Sequence, residues 1–151
     1  MFTIALIEPQ IPPNTGNIGR LCGATESKLE IVGKIGFHLN NRHLRRAGLD
    51  YWKFVDWDYF PDLDVYMDSL EPSTIHLLTT KATTRYTEHQ FKPGDYLLFG
   101  SETRGIDEQY RRKYKSRCCT IPMKNTNIRS LNLSTSVGIV LGEALRQNHQ
   151  F

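Results

Sequence analysis

The sequence predicts an α/β protein with a mostly parallel sheet flanked by helices. Short apolar, β-prone runs alternate with helix-like segments along the chain, the pattern of parallel strands joined by crossover connections. No repeat, linker or low-complexity stretch interrupts that alternation. Three segments rich in glycine, small polar residues and arginine sit where an apolar run gives way to a loop or helix: residues 14–20, residues 99–105, and residues 121–123 with 129–134. Ligands bind outside the ends of buried strands in open α/β sheets, so three such segments in one short chain point to a composite site.

Residues 2–7 are apolar and suit a first buried strand. Pro9, Pro12 and Pro13 predict an extended loop. Asn14 or Thr15 then caps a helix running through Arg20 to Thr25. Residues 29–33 read as a second strand. Asn40 or Asn41 opens a basic helix carrying His43, Arg45 and Arg46, with Gly48 as its stop. Residues 52–56 read as an edge strand. Residues 62–70 read as an acidic amphipathic helix with Leu63, Tyr66, Met67 and Leu70 on one stripe. Residues 74–80 and 95–100 are buried strands, 107–115 a helix and 117–121 the last strand. Asn132 starts a long closing helix that reaches Asn148, with Leu133, Val137, Val140, Leu141 and Ala144 on one face.

A chain of 151 residues is expected to form one domain, residues 1–151. No apolar run approaches the roughly 20 residues that span a bilayer. The first eight residues lack a basic region and a cleavage site, so they read as a strand, and a cytoplasmic protein is expected. The three cysteines are an odd number, with Cys118 and Cys119 adjacent, which suits reduced structural thiols. Neither C-x-x-C nor H-E-x-x-H occurs, and no metal is expected. The net charge of +3 is unevenly spread. Eight Lys/Arg and two acids lie between Arg104 and Arg129, whereas six acids and no base lie between Asp56 and Glu71. A polyanion would be drawn to one end of such a molecule and repelled from the other.

Each segment has a plain reading and a functional one. Gly16, Gly19 and Arg20 suit an ordinary loop and helix start. They match neither the G-x-G-x-x-G fingerprint nor a Walker A loop. Gly100 lets the backbone approach a ligand, Glu102 accepts hydrogen bonds from a ligand or pins a loop, and Arg104 meets a phosphate or forms a surface pair. Ser130, Asn132 and Ser134 alternate with Leu131 and Leu133, as on a pocket floor holding an adenine-like group or at a helix N-cap. The five histidines show no ligand spacing, and His76 reads as a satisfied strand residue.

Taken in order, the motifs resemble one family. They are Glu8-Pro9-x-Ile11-Pro12-Pro13-Asn14-Thr15-Gly16-Asn17-Ile18-x-Arg20, Leu44-Arg45-Arg46-Ala47-Gly48-Leu49-Asp50-Tyr51, Phe99-Gly100-x-Glu102-Thr103-Arg104-Gly105, Ile121-Pro122-Met123, and Arg129-Ser130-x-Asn132-Leu133-Ser134. The set closely resembles the SPOUT RNA methyltransferases, in the minimal branch that 2′-O-methylates the wobble nucleotide of certain leucine tRNAs. The resemblance covers nearly the whole chain. It implies a C-terminal trefoil knot, S-adenosylmethionine as cofactor, an obligate homodimer and a tRNA anticodon stem-loop as partner. It implies catalytic roles for Arg20, Asn14 and Asn132. Cofactor contacts fall to Leu78, Thr79, Gly100, Ser101, Glu102, Ile121, Met123, Ser130 and Leu131. RNA contacts are expected from Arg42, Arg45, Arg46, Arg104, Arg111, Arg112, Lys113 and Arg129, with Tyr51 and Trp52 as stacking candidates, core packing being the preferred role for Trp52. Methylation of another tRNA or rRNA ribose, a non-catalytic RNA-binding protein and a flavodoxin-like nucleotide binder stay open as alternatives. The chain departs from the family pattern at Gly19, where bacterial members carry isoleucine. It departs again at Gly142 and Leu145, where they carry large aromatics on the closing helix.

Overall fold

The computed structural model describes residues 1–39 and 50–150, and among these residues six strands form one parallel sheet. The strands are β1 (Thr3–Ile7), β2 (Lys28–Val32), β3 (Trp57–Phe60), β4 (Ile75–Leu78), β5 (Tyr96–Phe99) and β6 (Cys118–Cys119). The helices are α1 (Pro12–Thr25), α2 (Leu63–Ser69), α3 (Glu108–Lys113) and α4 (Leu133–Gln147). The strand order β3-β2-β1-β5-β4-β6 reverses direction between β1 and β5, which opens a crevice at their carboxyl ends.

Alternating side chains feed two apolar layers. Ile4, Leu6, Leu97 and Phe99 face Ile18 and Cys22 of α1 and Val137, Val140 and Leu141 of α4. Ala5, Ile7, Leu77 and Leu98 face Tyr66 and Met67 of α2 and Tyr110 of α3. The buried carboxylate of Glu30 is satisfied by the Tyr66 hydroxyl at 2.5 Å and Lys28 Nζ at 3.1 Å. All three cysteines are free and buried, and burial pushes the Cys22 and Cys119 thiols up to about 12. Among the described residues no helix is long and apolar enough to cross a membrane.

The structure corrects three sequence expectations. Pro12 and Pro13 begin α1, with Ile11 as its cap residue and no side-chain cap. A first-turn N–H has no intrahelical partner, so proline fits there at no loss. Asn14 is thereby inside the first turn, and its amide is free for other partners. Residues 52–56 are not the edge strand. Asp50–Phe54 is a 3₁₀ turn that seats Trp52 in the core, and the edge strand follows at Trp57–Phe60. The acidic and basic segments are not at opposite ends. Crossovers place α2 and α3 on the same face of the sheet, where Lys113 Nζ meets Asp68 at 3.0 Å and the Tyr110 hydroxyl donates to Asp64. The basic helix expected at 40–48 lies outside the described residues.

Candidate active site

A cleft of about 540 Å³ opens at the carboxyl ends of β1, β4 and β5. The loops after these strands form its walls, together with the segment from Thr120 to the start of α4. Its size falls within the range of small-molecule sites. Leu78, Ile121, Leu131 and Leu133 supply apolar surface, and Thr79 and Ser130 supply hydroxyls.

One hydrogen-bond chain ties the three motif segments together. Glu102 accepts from Gln10 N at 2.8 Å, Ile11 N at 3.0 Å and Asn14 Nδ2 at 3.2 Å. Asn14 Oδ1 accepts from Asn132 Nδ2 at 3.0 Å. Asn132 Oδ1 then accepts from Ser134 N at 2.9 Å and Thr135 N at 3.3 Å, capping α4. The direction is forced. A carboxylate that only accepts must face the Asn14 amide nitrogen, which leaves the Asn14 oxygen for Asn132 and the Asn132 oxygen for the helix. Residues 91 and 118 positions away from their partners are thus held by one polar relay. Glu102 spends both oxygens inside the protein, so its contribution is to fix the loop after β1.

Backbone shape completes the cleft. A Cβ on Gly100 would lie 2.1 Å from the Gly105 carbonyl carbon and 2.3 Å from Ile106 N. Only glycine lets the loop 101–105 fold back this closely. Ser101 closes that turn, its Oγ accepting from Arg104 N at 3.1 Å and its carbonyl accepting from Gly105 N at 3.0 Å.

The nine residues expected to hold the cofactor all line this cleft, as do Asn14 and Asn132. Arg104, Arg111 and Arg129 line it too. Arg112 instead pairs with Glu108 at 2.8 Å, and Arg42, Arg45 and Arg46 lie outside the described residues. Arg20 is not brought to the cleft of its own chain. It lies six residues past Asn14, about 9 Å along α1 and about 120° around it. It is exposed, with its guanidinium 4.8 Å from the centre of the Tyr51 ring. Tyr51 in turn donates its hydroxyl to Gly16 O at 2.7 Å. Trp52 is buried and unavailable for base stacking. The sequence reading missed Thr80, Lys81 and Ser136 in the cleft wall. The signal for the first two was a polar Thr-Thr-Lys run directly after an apolar strand, the same context as the motifs that were recognised.

Comparison with known proteins agrees with this geometry. Residues 1–142 match the family model described as the SpoU rRNA Methylase family. The chain belongs to that family, which is the SPOUT class its motifs resemble. It is 39% identical over 150 residues to a protein of Burkholderia ambifaria named tRNA (cytidine(34)-2′-O)-methyltransferase, covering 97% of this chain and 96% of that one. Its fold is similar, at a TM-score of 0.91 and 34% identity, to a solved structure described as giving structural insights into the 2-OH methylation of C/U34 on tRNA. That match covers 100% of this chain and 98% of the other. The SpoU methyltransferase AviRb of Streptomyces viridochromogenes, solved in complex with AdoMet, shares the fold at a TM-score of 0.83 and 21% identity, over 97% of this chain and 57% of that one.

Proposed function

We propose that this chain 2′-O-methylates the wobble ribose, cytidine or modified uridine, in the anticodon loop of leucine tRNAs. In this reading it uses S-adenosylmethionine and works as a cytoplasmic homodimer. Residues 1–151 are one domain with a C-terminal trefoil knot. The observation that carries the reading is the Glu102–Asn14–Asn132 relay, which draws all three motif segments onto one cleft. Full-length likeness to a relative named for this reaction supports it.

The residues present fit the cofactor. Leu78, Ile121 and Leu131 offer apolar walls to an adenine ring, Thr79 and Ser130 offer hydroxyls to polar groups, and the turn at Gly100 brings backbone to the cleft wall. When bound, the cofactor supplies an electrophilic methyl group on a sulfonium. The protein's task is to align the ribose 2′-oxygen with it and to ease loss of the hydroxyl proton. Asn14 and Asn132, locked by their relay, are preorganised polar groups beside that position. Arg20 stays charged and holds a substrate phosphate or the developing oxyanion. A guanidinium holds its proton too tightly to be a comfortable base. Because Arg20 is turned away from its own cleft, it serves the cleft of the second subunit. Arg104, Arg111 and Arg129 meet RNA phosphates at the cleft mouth, and Arg112 and Lys113 exchange their weak surface pairs for phosphates.

Nucleoside mass spectrometry of leucine tRNAs from cells lacking the protein tests the proposal. The wobble 2′-O-methyl group should vanish and return with the wild-type gene. Retention of that group, with loss of a ribose methyl at another tRNA or rRNA site, would replace the substrate. Calorimetry that detects no S-adenosylmethionine binding would leave only RNA binding.

A further inference from the structure

A second groove of about 790 Å³ runs beside the cleft. The loop after β4 forms one wall, and α3 with the following 3₁₀ turn (Lys115–Arg117) forms the other. The groove shares Thr79, Lys81 and Arg111 with the cleft, so the two are continuous. Five cations line it, Lys81, Arg111, Arg112, Lys113 and Lys115, against the single acid Glu108. Thr83, Thr84 and Ser116 add hydroxyls, and no aromatic side chain takes part.

The partners of these cations leave them available. Arg112 pairs with Glu108 and Lys113 with Asp68, all four side chains being exposed. Exposed pairs of this kind contribute little and exchange readily. Arg111 places Nε on the Ile106 carbonyl at 3.1 Å, which orients its guanidinium without neutralising it. Among the described residues, the Lys81 and Lys115 ammonium groups form no ion pair.

We propose that this groove binds the sugar–phosphate backbone of the double-stranded stem beside the nucleotide held in the cleft. The proposal rests on the reading that the substrate is RNA. Cations and hydroxyls are partners for phosphate oxygens and 2′-hydroxyls, the groups that an A-form stem presents at its surface. Splayed single-stranded bases are held by aromatic stacking, and the groove supplies none. Continuity with the cleft gives one RNA both contacts at once: the target nucleotide inside and the flanking backbone alongside. The groove thus contributes affinity and orientation, and it reads no sequence.

The test uses the full-length double variant Arg112→Gln/Lys115→Gln, since neither residue lines the cleft. Binding is titrated against salt with an anticodon stem-loop hairpin and with a single-stranded oligonucleotide of the loop alone. Loss of two phosphate contacts to a duplex should weaken hairpin binding about 60-fold at 0.1 M salt and flatten the slope of log K against log[salt] by about 1.8. Affinity for the loop oligonucleotide and for S-adenosylmethionine should stay at the parent value. An unchanged hairpin slope overturns the groove. Equal losses on hairpin and loop oligonucleotide mean that a single strand follows it, and overturn the stem assignment. A parent protein that neither binds nor methylates the hairpin sinks the underlying reading of function, and that outcome is separate because it appears before any substitution.

Discussion

Glu102→Gln tests the relay that assembles the site. The carboxylate accepts from Gln10 N, Ile11 N and Asn14 Nδ2. An amide keeps one acceptor oxygen and turns the other position into a donor. If its oxygen faces Ile11 and Asn14, its NH₂ confronts Gln10 N–H. If it flips, the NH₂ confronts two donors. Asn14 escapes by rotating its own amide, but then two NH₂ groups meet at Asn132. Rotating Asn132 in turn removes the acceptor that caps α4. Every arrangement leaves at least one donor facing a donor. An unsatisfied group costs about 1–3 kcal/mol, and a lost N-cap about 0.5–2 kcal/mol. The site is half-buried, so the lower-cost arrangement prevails, at about 2 kcal/mol. For a chain of this length that lowers Tm by roughly 4–8 °C. Thermal and urea denaturation read the loss, and calorimetry should show weakened S-adenosylmethionine binding because the loop after β1 is released. A variant within 0.5 kcal/mol of the parent (on the order of a surface substitution) with parental cofactor affinity would refute the relay as the organising element.

Four further outcomes follow from the same geometry. Gly100→Ala should cost about 1–3 kcal/mol and abolish cofactor binding, because its Cβ would lie 2.1 Å from the Gly105 backbone; calorimetry and urea midpoints report both. Gly19→Ala should destabilise in the parent, since its Cβ would sit 2.2 Å from Trp52 Cζ3, yet be neutral or stabilising in a Trp52→Leu background, where helix propensity gains about 1 kcal/mol; additive free energies in that double-mutant cycle would argue against the contact. Mixing Arg20→Ala with Leu131→Trp protein, each inactive alone, should restore about one quarter of parental activity through one complete site per mixed dimer; no recovery would mean that each arginine serves its own cleft. Stability should fall as pH drops from about 6.5 towards 4, by up to about 1.4 kcal/mol per pH unit. Burial holds His76 neutral, despite Asp95 at 2.8 Å from Nε2, with His89 Nδ1 at 2.9 Å on its other nitrogen and Arg117 nearby. The unfolded chain binds a proton that the native chain refuses, so stability is lost on acidification; His76→Asn should flatten the profile in urea titrations.

Much of the fold was legible because its signals are local. Apolar runs marked five of the six strands, and Asn132 read correctly as the residue that opens the closing helix. The misreadings arose where a residue's role depends on a distant partner. Trp52 has the β-propensity of a strand residue, but the space left by Gly19 draws it into the core and moves the edge strand to residues 57–60. Pro12 and Pro13 suited an extended loop equally well, and only the packing of α1 on the sheet selects the helical start. The charge segregation was visible along the chain, but its meaning was not. Which face a helix occupies is decided by crossover topology, and here that topology sets acid beside base. Glu102 shows the same limit at the site. Its residue type suited a ligand contact and a loop pin alike, and the choice rests on Gln10 and Ile11, more than ninety positions away.

The placement of Arg20 links these observations to oligomeric state. Asn14 and Arg20 occupy one helix, and helical geometry separates them by about 120°. α1 therefore cannot present both to one cleft without unwinding. Its first turn is fastened to the cleft through Glu102 and Asn132, and Ile18 and Cys22 fasten its body to the sheet. Tyr51 fixes the remaining freedom, bonding to the Gly16 carbonyl while its ring lies under the guanidinium. A charged side chain so carefully supported, yet turned to the outside, is built to meet something beyond its own chain. On the proposed function that partner is RNA held at the second subunit's cleft. On the proposed cofactor contacts, which all line the cleft of one chain, a monomeric variant should then keep S-adenosylmethionine binding and lose methyl transfer. Sedimentation, calorimetry and turnover measured on the same sample would reveal the split, and a monomer that still methylates the anticodon loop would sink the shared-site account.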